Sequence, residues 1–208
     1  PGAIAAVGAV PVFVGVTEDL VIDLDDLVAK ADQATGQTKV LMLSHMRGHL
    51  CDMDQLLAIC AAHDIKVVED CAHTMGARWN GRLSGTDGVI GCYSTQTYKH
   101  LNSGEGGFLI TDDAEVMARA VMLSGSYMLY DRHLTAPPPE LFETVKYDTP
   151  NVSGRMDHLR AAILRPQLAD LDRQIARWNA RYQVVEAGLR ETPGLTVITR
   201  PAPETYVG

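Results

Sequence analysis

The chain has 208 residues, enough for one sizeable domain with a proper core, or one domain and a fragment. Charged residues make up 21%, the formal net charge is -8 and no basic tract of five or more occurs, so nucleic acid and anionic membrane are disfavoured as partners. No apolar run approaches the ~18 residues of a membrane span, nothing reads as a signal peptide, and Cys51, Cys60, Cys71 and Cys92 lack disulfide-framework spacing. Reduced thiols in a cytoplasmic protein are the simplest expectation.

Pro11-Val-Phe-Val-Gly-Val16 is a short apolar run rich in β-branched residues and predicts a strand. Leu24, Leu27 and Val28 predict a helix over residues 23–32, and residues 39–43 a second strand. Asp52, three residues before Gln55, marks a helix start, with Met53, Leu56, Leu57 and Cys60 on one face. Residues 65–68 form a third strand candidate ending at Glu69-Asp70. Strand, amphipathic helix and strand make a βαβ unit, so an α/β fold with a mostly parallel sheet is expected. Further strands are expected over 89–94 and 107–111, with a helix over 114–123. Residues 124–150 hold Pro137-Pro-Pro139 and read as an irregular excursion. From 155 to 190 the pattern is helical, with Met156, Leu159, Ile163, Leu168, Leu171 and Ile175 near one face and Pro166 able to kink it. The start at Pro1 and a strand signal from Gly194 that stops near Pro201 point to an internal piece of a longer chain.

In open α/β sheets, ligands sit beyond the carboxyl ends of the strands. Asp70 stands at such an end, where position alone fits a helix N-cap better than a ligand-facing carboxylate. Ser94-Thr-Gln-Thr-Tyr-Lys99-His-Leu-Asn-Ser-Gly104-Glu-Gly-Gly107 crowds hydroxyls and glycines around a single lysine. Alone, the lysine reads as a solvated charge and the glycines as a weak phosphate-loop signal, because GxxxxGK[ST] is absent. Together the two segments supply what pyridoxal 5'-phosphate (PLP) needs. Lys99 is an amine for its aldehyde, Asp70 a carboxylate for its pyridine nitrogen and Ser94 a hydroxyl for its phosphate.

Val67-Val-Glu-Asp70-Cys-Ala-His73, Gly91-Cys-Tyr-Ser94 and Lys99-His-Leu-Asn-Ser-Gly-Glu-Gly-Gly107 resemble, in that order, the DegT/DnrJ family of sugar aminotransferases, PLP enzymes of fold type I. The likeness continues through Gly8-Ala-Val-Pro-Val-Phe-Val14, residues 45–53 and Arg155-Met-Asp-His-Leu-Arg-Ala-Ala162. It implies a three-layer αβα large domain, present in part over residues 1–155. A long linking helix and the start of a smaller C-terminal α/β domain would follow over 156–208. It puts Lys99 on the Schiff-base lysine, which also shuttles a proton between Cα and C4′, Asp70 on the pyridinium partner and Ser94 on a phosphate-binding hydroxyl. His73 falls on a position that reaches the ring near its phenolic oxygen; the plainer reading is a helix-face histidine satisfied by backbone. His45 is expected to line the substrate pocket. The implied reaction passes an amino group from a donor such as glutamate to a nucleotide-linked keto sugar, in a homodimer with active sites near the subunit interface.

Three departures qualify the resemblance. Ser153 stands where the family usually has an Asn that reaches the partner subunit's phosphate, with Asn151 two positions earlier. His100 follows the lysine where Asn is common, and the family's early phosphate-cradling loop is not in this sequence. Relatives with His in place of the lysine are dehydratases, so Lys99 favours transamination. A PLP dehydratase is the alternative enzyme, and a non-catalytic or regulatory PLP-fold protein the alternative from another class. His45, His49, Cys51 and Asp52 offer metal-ligand types within eight residues, but Asp52 is better used as a cap and no metal is expected. Asp157, Asp170, Asp172 and Glu186 intersperse the arginines of 155–190, which makes a solvated or packing helix rather than a nucleic-acid one.

Overall fold

The computed structural model describes residues 1–34, 39–125, 129–202 and 204–207. A short helix α1 (Gly2–Ala6) leads into an extended stretch in which Val16 alone bridges to Ile22. The strand expected over 11–16 therefore does not form. β-branched residues favour a strand only when a neighbouring strand and a packed face are at hand, and Val10, Val12, Phe13 and Val16 are exposed instead. Helix α2 (Leu24–Gln33) begins at Asp23, whose carboxylate accepts from the backbone N–H of Asp25 and Asp26. Strand β1 (Lys39–Ser44) and a 3₁₀ turn at Met46–Gly48 precede α3 (Met53–Ala62), capped by Asp52, which accepts from Gln55 N–H at 2.9 Å. Next come β2 (Ile65–Asp70), the hairpin of β3 (Arg78–Trp79) and β4 (Arg82–Leu83), then β5 (Ile90–Ser94) and β6 (Gly107–Ile110).

The main sheet has the order β1-β2-β5-β6, with the first three strands parallel and β6 antiparallel. This is the mixed α/β architecture with a mostly parallel sheet that the βαβ pattern predicts. Because side chains alternate along a strand, register divides the sheet into two unlike faces. Leu41, Leu43, Val67, Glu69, Gly91 and Tyr93 share one face and are buried or half-buried. That face packs on Leu27 of α2, on Met53, Leu56 and Cys60 of α3, and through Tyr93 on Leu164. The other face carries Val40, Met42, Ser44, Asp70, Cys92, Ser94 and Leu109; Val40, Met42 and Leu109 on it are exposed.

Helix α4 (Ala114–Ser124) follows β6 and ends on Gly125 in the left-handed region. Residues 124–150 are less irregular than the prolines suggest. Their described part holds a 3₁₀ turn at Tyr130–Arg132 and a helix α5 (Pro139–Val145), started by a proline in its first turn, where no N–H is needed. Phe142 and Val145 of α5 are fully buried against Ala118, Val121 and Met122 of α4.

The long helical region is two helices, α6 (His158–Ala169) and α7 (Leu171–Arg190). Pro166 sits inside α6, and the break falls four residues later at Asp170 (φ -101, ψ 2). The expected apolar face also divides. Leu164 is buried and Met156 and Leu171 pack beside it, while Leu159, Ile163 and Leu168 are exposed. The chain folds on the side of α6 that carries Ala161, Leu164 and Gln167, not on the more apolar row of Leu159 and Ile163. Residues 195–200 form no strand; a short β7 (Glu204–Thr205) comes later and joins β3 and β4 in a small antiparallel sheet.

Candidate active site

The carboxyl end of β2 holds two adjacent carboxylates with opposite fates. Glu69 faces inward and is fully buried. One of its oxygens accepts from the amides of Asp87 (2.9 Å) and Gly88 (2.7 Å); the other accepts from Gly85 N–H (2.8 Å) and contacts His45 Nε2 at 3.0 Å. Burial pushes this carboxyl up, but the hydrogen bonds from His45, Gly88 and Gly85 outweigh it and leave the group below its ordinary value. Asp70, one residue on, faces the open side. Its Oδ2 accepts from Ser44 Oγ at 2.9 Å and its Oδ1 from Ala72 N–H at 3.1 Å, so each oxygen keeps a lone pair for another donor. The turn-capping role and a ligand role are thus compatible in one side chain.

Register carries the open face across the sheet. Asp70 pairs with Cys92, and Ser94 lies two residues beyond on the same side. Ser94 Oγ accepts from Gln96 N–H at 3.3 Å, which leaves its O–H free to donate. The loop between β5 and β6 is braced by its own polar groups. Thr95 N–H donates to Gly106 O, Thr97 N–H to Gly104 O and Ser103 N–H to Thr95 O, at 2.9, 3.0 and 2.9 Å. Thr95 Oγ1 meets Ser103 Oγ at 3.0 Å, and Asn102 is clasped by the Gln167 side chain of α6. Most of the loop's hydroxyls therefore hold the loop, and Lys99, half-buried, rides on it close enough to His73 for its charge to act there.

His73 lies at the same corner. Its Nδ1 accepts from Arg47 N–H at 2.9 Å, so the proton of the neutral ring is on Nε2. Burial lowers its pKa, the charges of Lys99 and Arg47 lower it further, and Asp70 works the other way. His100 is also lowered, first by burial and then by His73 and Lys99; its ring packs on Trp178 with centroids 5.0 Å apart.

The structure corrects the expectation for His45. One residue beyond Ser44, it has the opposite parity, is 2% exposed and spends its Nε2 on Glu69, so it braces the core and does not line an open pocket. Of the other three metal-ligand types in that stretch, Asp52 is the α3 cap and Cys51 is buried with its thiol pushed up to about 12. Among the described residues, the set that does converge is His45, Glu69 and Cys71, within 4.8 Å of one another. Both Glu69 oxygens are engaged in hydrogen bonds, and burial pushes the Cys71 thiol up to about 12. Asn151 Oδ1 turns back to accept from Ser153 N–H at 2.7 Å, and Ser153 adopts φ 52.

Sequence reasoning missed Ser44, Arg47 and the Glu69 network. Ser44 was discoverable: once β1 and β2 are taken as parallel neighbours, the two strand ends pair Ser44 with Asp70. The backbone donors to Glu69 and His73 leave no mark on residue type.

The residues present fit PLP by donor chemistry. A half-buried carboxylate with lone pairs to spare, an unspent hydroxyl donor, a histidine with a defined Nε2–H and a lysine amine share one sheet edge. The model of the DegT/DnrJ/EryC1/StrS aminotransferase family matches residues 2–206. The chain is 36% identical over 202 residues to an L-glutamine:2-deoxy-scyllo-inosose aminotransferase of Streptoalloteichus tenebrarius, covering 93% of this chain and 47% of that one. It is 34% identical over 207 residues to a dTDP-3-amino-3,4,6-trideoxy-alpha-D-glucose transaminase of Streptomyces venezuelae, covering 96% and 49%. The crystal structure of the aminotransferase TlmJ from Streptoalloteichus hindustanus superposes with a TM-score of 0.81 at 27% identity, over 99% of this chain and 53% of that one. The chain spans about half the length of the curated relatives it matches. It belongs to the DegT/DnrJ/EryC1/StrS aminotransferase family.

Proposed function

We propose that the protein uses PLP to transfer an amino group from an amino acid to a keto sugar. The observation that supports this reading is the open side of the sheet end, where Asp70, Ser94 and His73 keep hydrogen-bonding capacity and the charges of Asp70 and Lys99 both reach His73. In this reading the Lys99 amine would hold the cofactor by its aldehyde and, once released by the substrate amine, would serve as the group that takes up and returns the substrate Cα proton. Asp70 would keep a proton on the ring nitrogen, Ser94 would donate to the phosphate, and His73 would donate its Nε2–H to the phenolic oxygen. When bound, PLP supplies the electron sink that makes the Cα proton removable.

The names of the relatives supply the finer proposal. One is named for L-glutamine and a scyllo-inosose, the other for a dTDP-linked sugar. A nucleotide-linked keto sugar with glutamate or glutamine as donor is the reading we adopt. The division into a partial large domain over 1–155 and a linking helix with the onset of a small domain over 156–208 belongs to the same proposal, as do a homodimer and a cytoplasmic setting. Among the described residues no helix is long and apolar enough to cross a membrane.

Borohydride reduction of the intact protein with PLP, followed by peptide mapping, tests the assignment. A pyridoxyl group on Lys99, absent when the protein is first incubated with glutamate or glutamine, is the expected result. A folded intact protein that takes up no pyridoxyl group would support a regulatory, non-catalytic relative instead.

A further inference from the structure

Three separate segments meet at Gly48, in the turn between β1 and α3. This glycine has φ 79, and a Cβ there would lie 3.1 Å from His73 O and 3.7 Å from Val207 O. The turn is therefore pressed between the segment after β2 and the C-terminal segment. Its preceding residue, Arg47, is a non-glycine in the left-handed region (φ 57, ψ 22). Such a conformation persists only where the surroundings over-determine it.

Arg200 and Glu204 provide that determination. Arg200 Nη1 donates to Gly48 O at 2.8 Å and to Glu204 Oε1 at 2.7 Å, and Leu50 N–H donates to the same Glu204 oxygen at 3.3 Å. The side chains of Arg200 and Glu204 are 8% and 0% exposed. The Arg200 guanidinium also lies over the rings of Tyr206 and Tyr182, at 4.7 and 5.6 Å. Arg200 Nε and Glu204 Oε2 have no hydrogen-bond partner among the described residues, although buried. A buried ion pair with polar atoms left over is a poor way to gain stability, and a better way to fix one arrangement of backbone.

We propose that Arg200 and Glu204 are positioning residues for His73. By clamping Gly48 and Leu50 from the C-terminal segment, they hold Arg47 N–H on His73 Nδ1 and so assign the ring proton to Nε2. The groups that face His73 are Lys99, Asp70, Arg47 and His100, and none of the first three moves with the clamp except Arg47. The clamp links the onset of the C-terminal region to the His73 ring nitrogen through backbone groups of adjacent residues, Gly48 O and Arg47 N–H. Its catalytic meaning rests on the proposed role of His73, but the tautomer itself does not.

The test is histidine ¹⁵N NMR on the intact protein before any cofactor is added. Expected in the unaltered protein is a single His73 Nε2–H tautomer and a scalar coupling across the hydrogen bond from Arg47 N–H to His73 Nδ1. Arg200→Met and Glu204→Leu should lose the coupling and show mixed tautomers. Glu204→Gln should retain both signals, since its amide oxygen accepts as Glu204 Oε1 does. Phe142→Leu, which loosens the separate α4–α5 cluster, should leave His73 unchanged. No coupling in the unaltered protein overturns the proposal without any variant, as does a pure Nε2–H tautomer in folded Arg200→Met. Because no cofactor is present, failure here leaves the borohydride result standing, and failure there leaves the tautomer standing.

Discussion

Glu69 and Asp70 are neighbours on one strand, and they divide the labour of the sheet end. The inward carboxylate has four donors on its two oxygens and nothing left to offer. The outward one has two donors and room for more. The same contrast runs through His45 and His73: the first is spent on Glu69 in the core, the second presents a free Nε2–H. A polar group at a strand end becomes available for chemistry when its partners leave it partly unsatisfied, and alternation along the strand decides which group that is.

Substitutions on the two faces should therefore fail in different assays. The largest effect is expected from Lys99→Ala, which should lower turnover of the intact protein by about 10⁴-fold or more and leave stability within about 0.5 kcal/mol. Turnover assays alongside urea unfolding would read both. Glu69→Leu reverses the pattern. It strands His45, the buried Gly85 amide and the part-buried amides of Asp87 and Gly88, and chemical denaturation should report a loss of about 3–5 kcal/mol, a large part of the roughly 5–15 kcal/mol a domain has. Asp70→Asn should retain the fold and PLP uptake while turnover falls about 10²–10³-fold. A stability loss at Asp70 as large as at Glu69 would erase the distinction between the faces.

Acid sharpens the comparison with a smaller effect. Glu69 has a folded pKa below its ordinary value near 4.5, so its stabilisation is fully present above that value and is lost as pH falls through the folded pKa. Glu204 is displaced upward, mainly by burial, so its contribution has the opposite sign: it is present at low pH and lost as pH rises through its raised folded pKa. Unfolding curves between pH 3 and about 6 should steepen on the acid side in the unaltered protein and flatten with Glu69→Gln. If Glu69→Gln leaves the acid limb unchanged, the four donors are not holding an ionised carboxylate.

Much of this was legible beforehand, for reasons that differ by element. The cap at Asp52 and the β1–α3–β2 unit follow from residue type and spacing, because they are local. Asp70, Ser94 and Lys99 could be chosen because carboxylate, hydroxyl and amine are visible in sequence, and the open-face register brings the first two to one side. The extended stretch before Val16 and the outward row of Leu159 and Ile163 misled, since propensity and periodicity do not say which neighbour is present. His45 was misplaced by one step of alternation. The Arg200–Glu204 contact to Gly48 joins residues more than 150 positions apart and has no local signature.

The pairing of Ser44 with Asp70 and of Asp70 with Cys92 also bears on how this chain can change over generations. Within β2, exchanging one apolar residue for another keeps inside and outside in place. Adding or deleting a single residue turns every later side chain over, sending the outward carboxylate into the core and the inward one into the open. The strand is thus permissive in spelling and strict in length, so insertions should gather in the connections, never between Ile65 and Asp70.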